Sequence, residues 1–315
     1  MTETNREEGP DPAARARPLG VPRIPEGPWR LEYPFRSRYL EFPEGLTHYL
    51  DEGRGEALVL LHGNPSWSFM YRKVVAGLRD SRRLLAYDQP GMGLSSRTLS
   101  PLRLKDRIAH LEAFLERLLP EGPLTLAAHD WGGPIALGWA LRHPERVKSL
   151  VLMNTGTALP EGARLPWRLR LFTAFPFWGR LLAEKLDLFA GGLRSRATLR
   201  PLSPRVREGF RAPYARPLHR QGVADFISDI PLSAGHPSRE TLRAIDRGLG
   251  KLRDKPCLLI WGLKDFVFTP EFLYRLKKRL PRSQVLALPE AGHWLLEDEP
   301  DLIVSSLRDF LSRSA

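Results

Sequence analysis

Four short segments carry side chains able to do covalent chemistry. In LTLAAHDWGGPIALGWA an apolar run ends at Ala128-His129-Asp130-Trp131-Gly132-Gly133, and a helical pattern follows at once. The residues two positions either side of Asp130 are small, Ala128 and Gly132. That is the steric signature of a nucleophile elbow with aspartate in the central place, because a strained strand-to-helix turn leaves little room beside it. The following helix would aim its N-terminus at the carboxylate and favour negative charge there. The plainer alternative is an aspartate capping an ordinary helix. The second segment, LLHGNPSW, sets His62-Gly63-Asn64-Pro65 at the end of another apolar run. Elbow sites draw one backbone donor from such a loop and one from the residue after the nucleophile, here Asn64 and Trp131. Alone, HGNP is a common tight turn. The third segment, GLKDFVF, places Asp265 after PCLLIWG, and the fourth, PEAGHWLLED, places His293 after SQVLALPE. The order Asp130, Asp265, His293 is the chain order of nucleophile, acid and base in elbow enzymes. A lone histidine is usually structural, but of the eight only His293 follows the last strand-like run.

A carboxylate nucleophile suits displacement at an alkyl carbon, because the product is an ester that the same site can hydrolyse. In that scheme Asp130 attacks in line and expels an anion. The Trp131 indole N–H and the Asn64 amide, both neutral donors, hold it. His293 then takes a proton from water, which attacks the ester, while Asp265 fixes the histidine tautomer and stabilises the imidazolium. An apolar substrate needs an apolar pocket, for which Leu159, Phe189, Phe226, Phe268 and Trp294 are candidates. No metal or organic cofactor is expected, and water is the only co-substrate.

These groups need a scaffold that brings four loops to one edge. RYLEF (38–42) and LTHYLDEG (46–53) alternate apolar and polar residues around a short turn and predict a β-hairpin. ALVLLHG (57–63), RRLLAYD (82–88), PLTLAAHD (123–130), KSLVLMNT (148–155), PCLLIWG (256–262) and SQVLALPE (283–290) read as buried strands. Helical spacing lies between them, so the sheet should be mostly parallel with right-handed crossovers. The alternation breaks from about Gly156 to Asp246, a helical block that would cover the strands' carboxyl ends, where ligands of open α/β sheets bind. The expected division is an arm over residues 1–28, a core over 29–156 and 247–315, and a helical cap over 157–246. The six prolines and mixed charges of the first 28 residues predict disorder there.

The 315 residues are 42% hydrophobic and 27% charged, enough to bury a large core. No run is apolar and long enough for a transmembrane helix, and the N-terminus lacks the apolar stretch of a secretory signal. One cysteine, Cys257, excludes an intramolecular disulfide, and a reduced, cytoplasmic setting is expected. The net charge is +12, but only nine of the 48 basic residues are lysine and the arginines are scattered. With no nucleic-acid motif present, this reads as solvated surface rather than a nucleic-acid site. The stretch PWRLRLFTAFPFWGRLL (166–182) could lie on a membrane surface, though a lid helix facing the site is the preferred reading.

From about Tyr33 to Leu311 the chain resembles the haloalkane dehalogenase group of α/β-hydrolases. HGNPSWSFMYR, DQPGMGLS, AAHDWGG, GLKDFVF and AGHWLLEDEP carry the resemblance. It implies an α/β-hydrolase fold: an eight-stranded, mostly parallel sheet flanked by helices, with a helical lid inserted after strand 6. Asp265 after the late strand, with Asn64 and Trp131, resembles the third dehalogenase subfamily. The second would put a glutamate after SLVLMNT, where this chain has Asn154-Thr155. The third subfamily is also similar to β-lactone decarboxylases of bacterial long-chain olefin biosynthesis, and DFISDIPLS (225–233) and GLKDF look especially like those enzymes. The resemblance therefore implies carbon–halogen hydrolysis first, with β-lactone decarboxylation as the alternative. Epoxide hydrolases share the HDWGG elbow, but typically use two lid tyrosines to protonate the epoxide, and this cap holds one, Tyr214. A non-enzymatic receptor built on the same fold is the reading from a different class.

Overall fold

The continuous apolar runs form the middle of a sheet because they must be covered on both faces. The computed structural model describes residues 26–158, 196–233 and 235–313. Eight strands run in the order β1-β2-β4-β3-β5-β6-β7-β8. The hairpin of β1 (Arg38–Phe42) and β2 (Gly45–Glu52) is antiparallel and lies at one edge. β2 pairs antiparallel with β4 (Arg83–Tyr87), and every later pairing is parallel. β3 (Ala57–Leu61), β5 (Leu124–His129), β6 (Val147–Met153), β7 (Cys257–Gly262) and β8 (Gln284–Leu288) complete the sheet. Each expected strand is present within two residues of its expected ends.

The helices are α1 (Arg72–Leu78), α2 (Leu104–Leu118), α3 (Gly132–Arg142), α4 (Pro204–Arg211), α5 (Gln221–Ser228), α6 (Pro237–Gly248), α7 (Pro270–Arg279), α8 (Leu295–Asp298) and α9 (Pro300–Arg313), numbered over the described residues. α1 packs on α9, while α2, α3 and α6 pack together. Leu58, Val59, Leu60 and Leu61 of β3 are buried, as are Ile135, Leu137 and Trp139 of α3. These apolar faces hold the layers together.

The strand order matters for function. The chain leaves β3 for β4 on one side, then returns to β5 on the other. The loops after β3 and β5 therefore part at the switch point, and a crevice opens between them at the carboxyl edge. His62–Pro65 and Asp130 stand at that crevice.

The helical insertion follows β6. The expected boundary at 246 falls inside α6, which packs on α2 and α3. Leu159 and Phe189, two of the candidate pocket residues, lie outside the described residues, as do the first 25 residues of the expected arm. Trp29 is buried against Trp67 and Phe69, with ring centres 5.9 and 6.4 Å away. Among the described residues, no helix is long and apolar enough to cross a membrane.

Candidate active site

The turn from β5 into α3 is strained in the way its small neighbours imply. Asp130 has φ of 52°, the left-handed region that an aspartate seldom adopts. A Cβ on Gly132 would meet the Leu61 carbonyl oxygen at 2.2 Å, so only glycine lets this turn sit against the end of β3. Gly63 has the same role from the other loop. A Cβ there would meet Asp130 Oδ1 at 2.1 Å. The turn is pinned by the Asp130 N–H donating to the Asn154 carbonyl at 3.1 Å and by the Thr155 hydroxyl donating to the Asp130 carbonyl at 2.6 Å.

The Asp130 carboxylate does not cap α3. Its Oδ1 accepts the backbone N–H of Asn64 at 2.7 Å, and the Trp131 N–H also acts on it. Its Oδ2 lies 3.9 Å from His293 Nε2. His293 Nδ1 donates to Asp265 Oδ2 at 2.8 Å. An ionised carboxylate only accepts, so this bond puts the proton on Nδ1 and turns the other ring nitrogen to Asp130. The expected trio is thus brought together, in the expected order along the chain. All three are almost fully buried.

Electrostatics follows from that burial. Burial pushes the Asp130 carboxyl up to about 6, against the pull of the His293 charge and the Asn64 and Trp131 N–H groups. Burial also works to raise Asp265, but the charge and hydrogen bond of His293, with the Val267 and Asn154 donors, take it below the usual range. For His293 burial works downward, and the charge and hydrogen bond of Asp265, then the charge of Asp130, carry the imidazole above its ordinary value.

The expected anion donors are arranged unequally. Among the described residues, no acceptor meets the half-buried Trp131 indole N–H. The Asn64 amide donates to the Val223 carbonyl of α5 at 3.2 Å, which uses one of its two hydrogens, and its buried Oδ1 has no hydrogen-bond partner among the described residues. Phe226, also on α5, lies 5.5 Å from the Trp131 ring. Phe268 stacks on His293 at 6.0 Å and 14°. Trp294 is fully buried and stacks on Phe210 at 4.2 Å. Phe268 therefore adjoins the trio and Phe226 adjoins Trp131, while Trp294 packs against Phe210.

Three supporting residues escaped sequence reasoning. Asn154, with φ of 34°, donates to Asp265 Oδ2 at 2.7 Å and to the Gly292 carbonyl at 3.2 Å, and accepts the Gly262 N–H at 2.8 Å. It ties together the loops that carry Asp265 and His293. His129 Nε2 donates to the His293 carbonyl at 2.8 Å. Burial and the neighbouring His293 charge lower His129 to about 3, so it stays neutral. The third is Gly63. The signals for Asn154 were its place at the end of a buried strand and its standing where the second dehalogenase subfamily would put a glutamate.

Tyr214 is buried. Its hydroxyl donates to the Ser66 carbonyl at 2.8 Å and accepts the Gly93 N–H at 3.0 Å, so it braces the cap against the core. It is occupied in a way that does not suit protonation of an epoxide. Among the described residues, no group of three or more His, Cys, Asp or Glu could hold a metal ion. Burial pushes the Cys257 thiol up to about 12, which leaves it unreactive.

Comparison with known proteins agrees with this architecture. The family model for the alpha/beta hydrolase fold matches residues 56–300. The cis-3-alkyl-4-alkyloxetan-2-one decarboxylase of Shewanella oneidensis is 36% identical over 89% of this chain and 90% of its own length. Haloalkane dehalogenase 2 of Mycobacterium tuberculosis is 33% identical over 87% of this chain and 94% of its own. The crystal structure of a putative ancestral haloalkane dehalogenase superposes with a TM-score of 0.80 at 26% identity, covering 88% of this chain and 99% of that one.

Proposed function

This chain belongs to the α/β-hydrolase family and is an enzyme related to haloalkane dehalogenases and to cis-3-alkyl-4-alkyloxetan-2-one decarboxylases; from that premise we propose that it is a decarboxylase of dialkyl β-lactones with Asp130 as nucleophile. Sequence reading put carbon–halogen hydrolysis first. The comparisons favour the reverse order, with 36% identity to the decarboxylase against 33% to the dehalogenase. The observation that carries the chemistry is the Asp130 carboxylate, held at 2.7 Å by the Asn64 N–H and 3.9 Å from the His293 imidazole.

The step is written on the four-membered ring. Asp130 Oδ2 attacks the ring carbon bearing oxygen, a new C–O bond forms, and the ring C–O bond breaks. The ring's acyl group leaves as a carboxylate, held by the Trp131 indole N–H and the free hydrogen of the Asn64 amide. That carboxylate then loses carbon dioxide. Its C–C electron pair becomes the alkene π bond as the bond to Asp130 breaks, which restores the carboxylate. Attack inverts the carbon and anti fragmentation follows, so a cis lactone yields a cis alkene. No water is consumed. His293, whose imidazolium Asp265 supports, supplies the positive charge that keeps Asp130 ionised, and the pair activates water when an ester fails to fragment. The backbone donors of Asn64 and Trp131 hold the oxyanion of that hydrolysis. On this reading Phe226 and Phe268 line the apolar pocket.

A haloalkane reading draws on the 33% identity to haloalkane dehalogenase 2 and would use the same Trp131 indole N–H for the halide. A comparison of a cis-dialkyl β-lactone with a 1-haloalkane decides between them. Alkene and carbon dioxide from the lactone, lost in Asp130→Ala, support the proposal. Halide release without alkene overturns it in favour of dehalogenation, and full turnover by Asp130→Ala overturns both.

A further inference from the structure

Arg107 of α2 is a buried cation that the mechanism above does not use. It is 1% exposed. Its Nη1 donates to the Pro90 carbonyl at 3.1 Å, while Nε and Nη2 have no hydrogen-bond partner among the described residues. A guanidinium so placed is expensive to desolvate, and its usual compensation is a paired carboxylate with full hydrogen bonding. Here the guanidinium carbon lies 3.8 Å over the ring of Phe226. On its other contact, that ring is 5.5 Å from the ring of Trp131. The charge is therefore at most about 9 Å from the Trp131 indole, and both groups contact the Phe226 ring. Val223, whose carbonyl holds the Asn64 amide, sits three residues before Phe226, so one face of α5 meets both expected anion donors.

We infer that Arg107 is a positioning charge for the leaving anion: across Phe226 it supplies the positive potential that holds a carboxylate at Asn64 and Trp131. This rests on the proposed site and names the anion class it favours. At an effective dielectric of about 20, a unit charge about 9 Å away changes anion affinity about twentyfold. Three carboxylates reduce that field, one of them Asp106 of the same helix. Asp225 acts electrostatically on Arg107 from α5. Asp229 does too, but is itself bonded to Arg103, the Leu104 N–H and Ser238. The expected effect is thus between about threefold and twentyfold.

The test is calorimetric titration of the intact protein with sodium acetate and sodium bromide at constant ionic strength. Arg107→Gln should weaken acetate binding by about three- to twentyfold, and Arg107→Lys, which keeps the charge, by less than about threefold. Asp225→Asn should strengthen it, the opposite direction from damage to the same cluster. If both Arg107→Gln and Asp225→Asn weaken binding, or neither changes it, while Trp131→Phe abolishes it, Arg107 is structural and the inference is overturned alone. If Trp131→Phe leaves binding unchanged, or the unaltered protein binds neither anion, the anion site of the proposed function is overturned as well.

Discussion

The carboxylate at 130 should make the fold less stable than a neutral residue there, and Asp130→Asn measures by how much. Asparagine keeps the shape, keeps an oxygen for the Asn64 N–H, and tolerates the left-handed backbone at φ of 52°. It removes only the charge. Burial raises the Asp130 carboxyl from an ordinary 3.8 to about 6. The difference of roughly two units corresponds to about 3 kcal/mol of folding free energy. The sign follows from linkage. A raised pKa means that the folded state prefers the neutral acid. That preference is fully present below about 3.8 and is lost as pH rises through about 6. At pH 8 the wild type therefore carries the whole penalty and Asp130→Asn escapes it. For a chain of this size the melting temperature should rise by about 5 °C at pH 8. The gain should shrink steadily below pH 6 and nearly vanish near pH 4. Thermal unfolding of both proteins by circular dichroism across that range is the assay. A variant no more stable than wild type at pH 8, or one whose advantage is the same at pH 4.5, would refute the account of a carboxylate held charged against its environment.

Three further outcomes follow from the same contacts. Because Asp130 must be ionised to attack, kcat/KM should fall about tenfold per unit as pH drops below about 6, which a pH–rate profile reads directly. Asn154→Ala removes the 2.7 Å donor to Asp265 and the tie to Gly292, so kcat should drop about ten- to hundredfold with KM little changed in steady-state kinetics. Tyr214→Phe leaves the Ser66 carbonyl and Gly93 N–H without their partner, so it should destabilise by about 1–3 kcal/mol in urea unfolding yet keep turnover within about threefold; a loss of several hundredfold would restore an acid role for this tyrosine.

The parts of the site that were legible are those fixed by local sterics and by period. Continuous apolar runs need cover on both faces, so β3, β5 and β7 announced themselves, and the loops that follow them carry Asn64, Asp130 and Asp265. Small residues around Asp130 marked the turn, because Gly132 leaves no space for a Cβ beside Leu61. What stayed hidden is contact between segments distant in sequence. Nothing near Asn154 tells that its amide will reach Asp265, 111 positions on. Nothing near His129 tells that it will hold the His293 carbonyl. Nothing near Trp294, proposed for the pocket from its place beside His293, tells that its ring will stack on Phe210.

The choice between lactone and haloalkane is hard to read from residues for a chemical reason. On the proposed mechanism both substrates give the same first product, an alkyl ester of Asp130, and the same donors hold the departing anion. What differs is whether that anion remains tethered. A halide leaves, so the ester persists until water, activated at His293, reaches its carbonyl carbon. The carboxylate from a lactone stays bonded to the neighbouring carbon, where loss of carbon dioxide expels Asp130 without water. Fragmentation is intramolecular and hydrolysis needs a positioned water, so the tethered anion has the advantage of proximity. The substrate, rather than the trio, then sets the outcome. His293→Phe separates the two routes. With a 1-haloalkane the ester should accumulate, visible as an alkyl mass on the peptide holding Asp130. With a β-lactone, alkene should still form in a single turnover, since no proton moves in that route. An acyl adduct that yields no alkene from the lactone would show that Asp130 attacks the carbonyl carbon instead, and the route through the alkyl carbon would have to be abandoned.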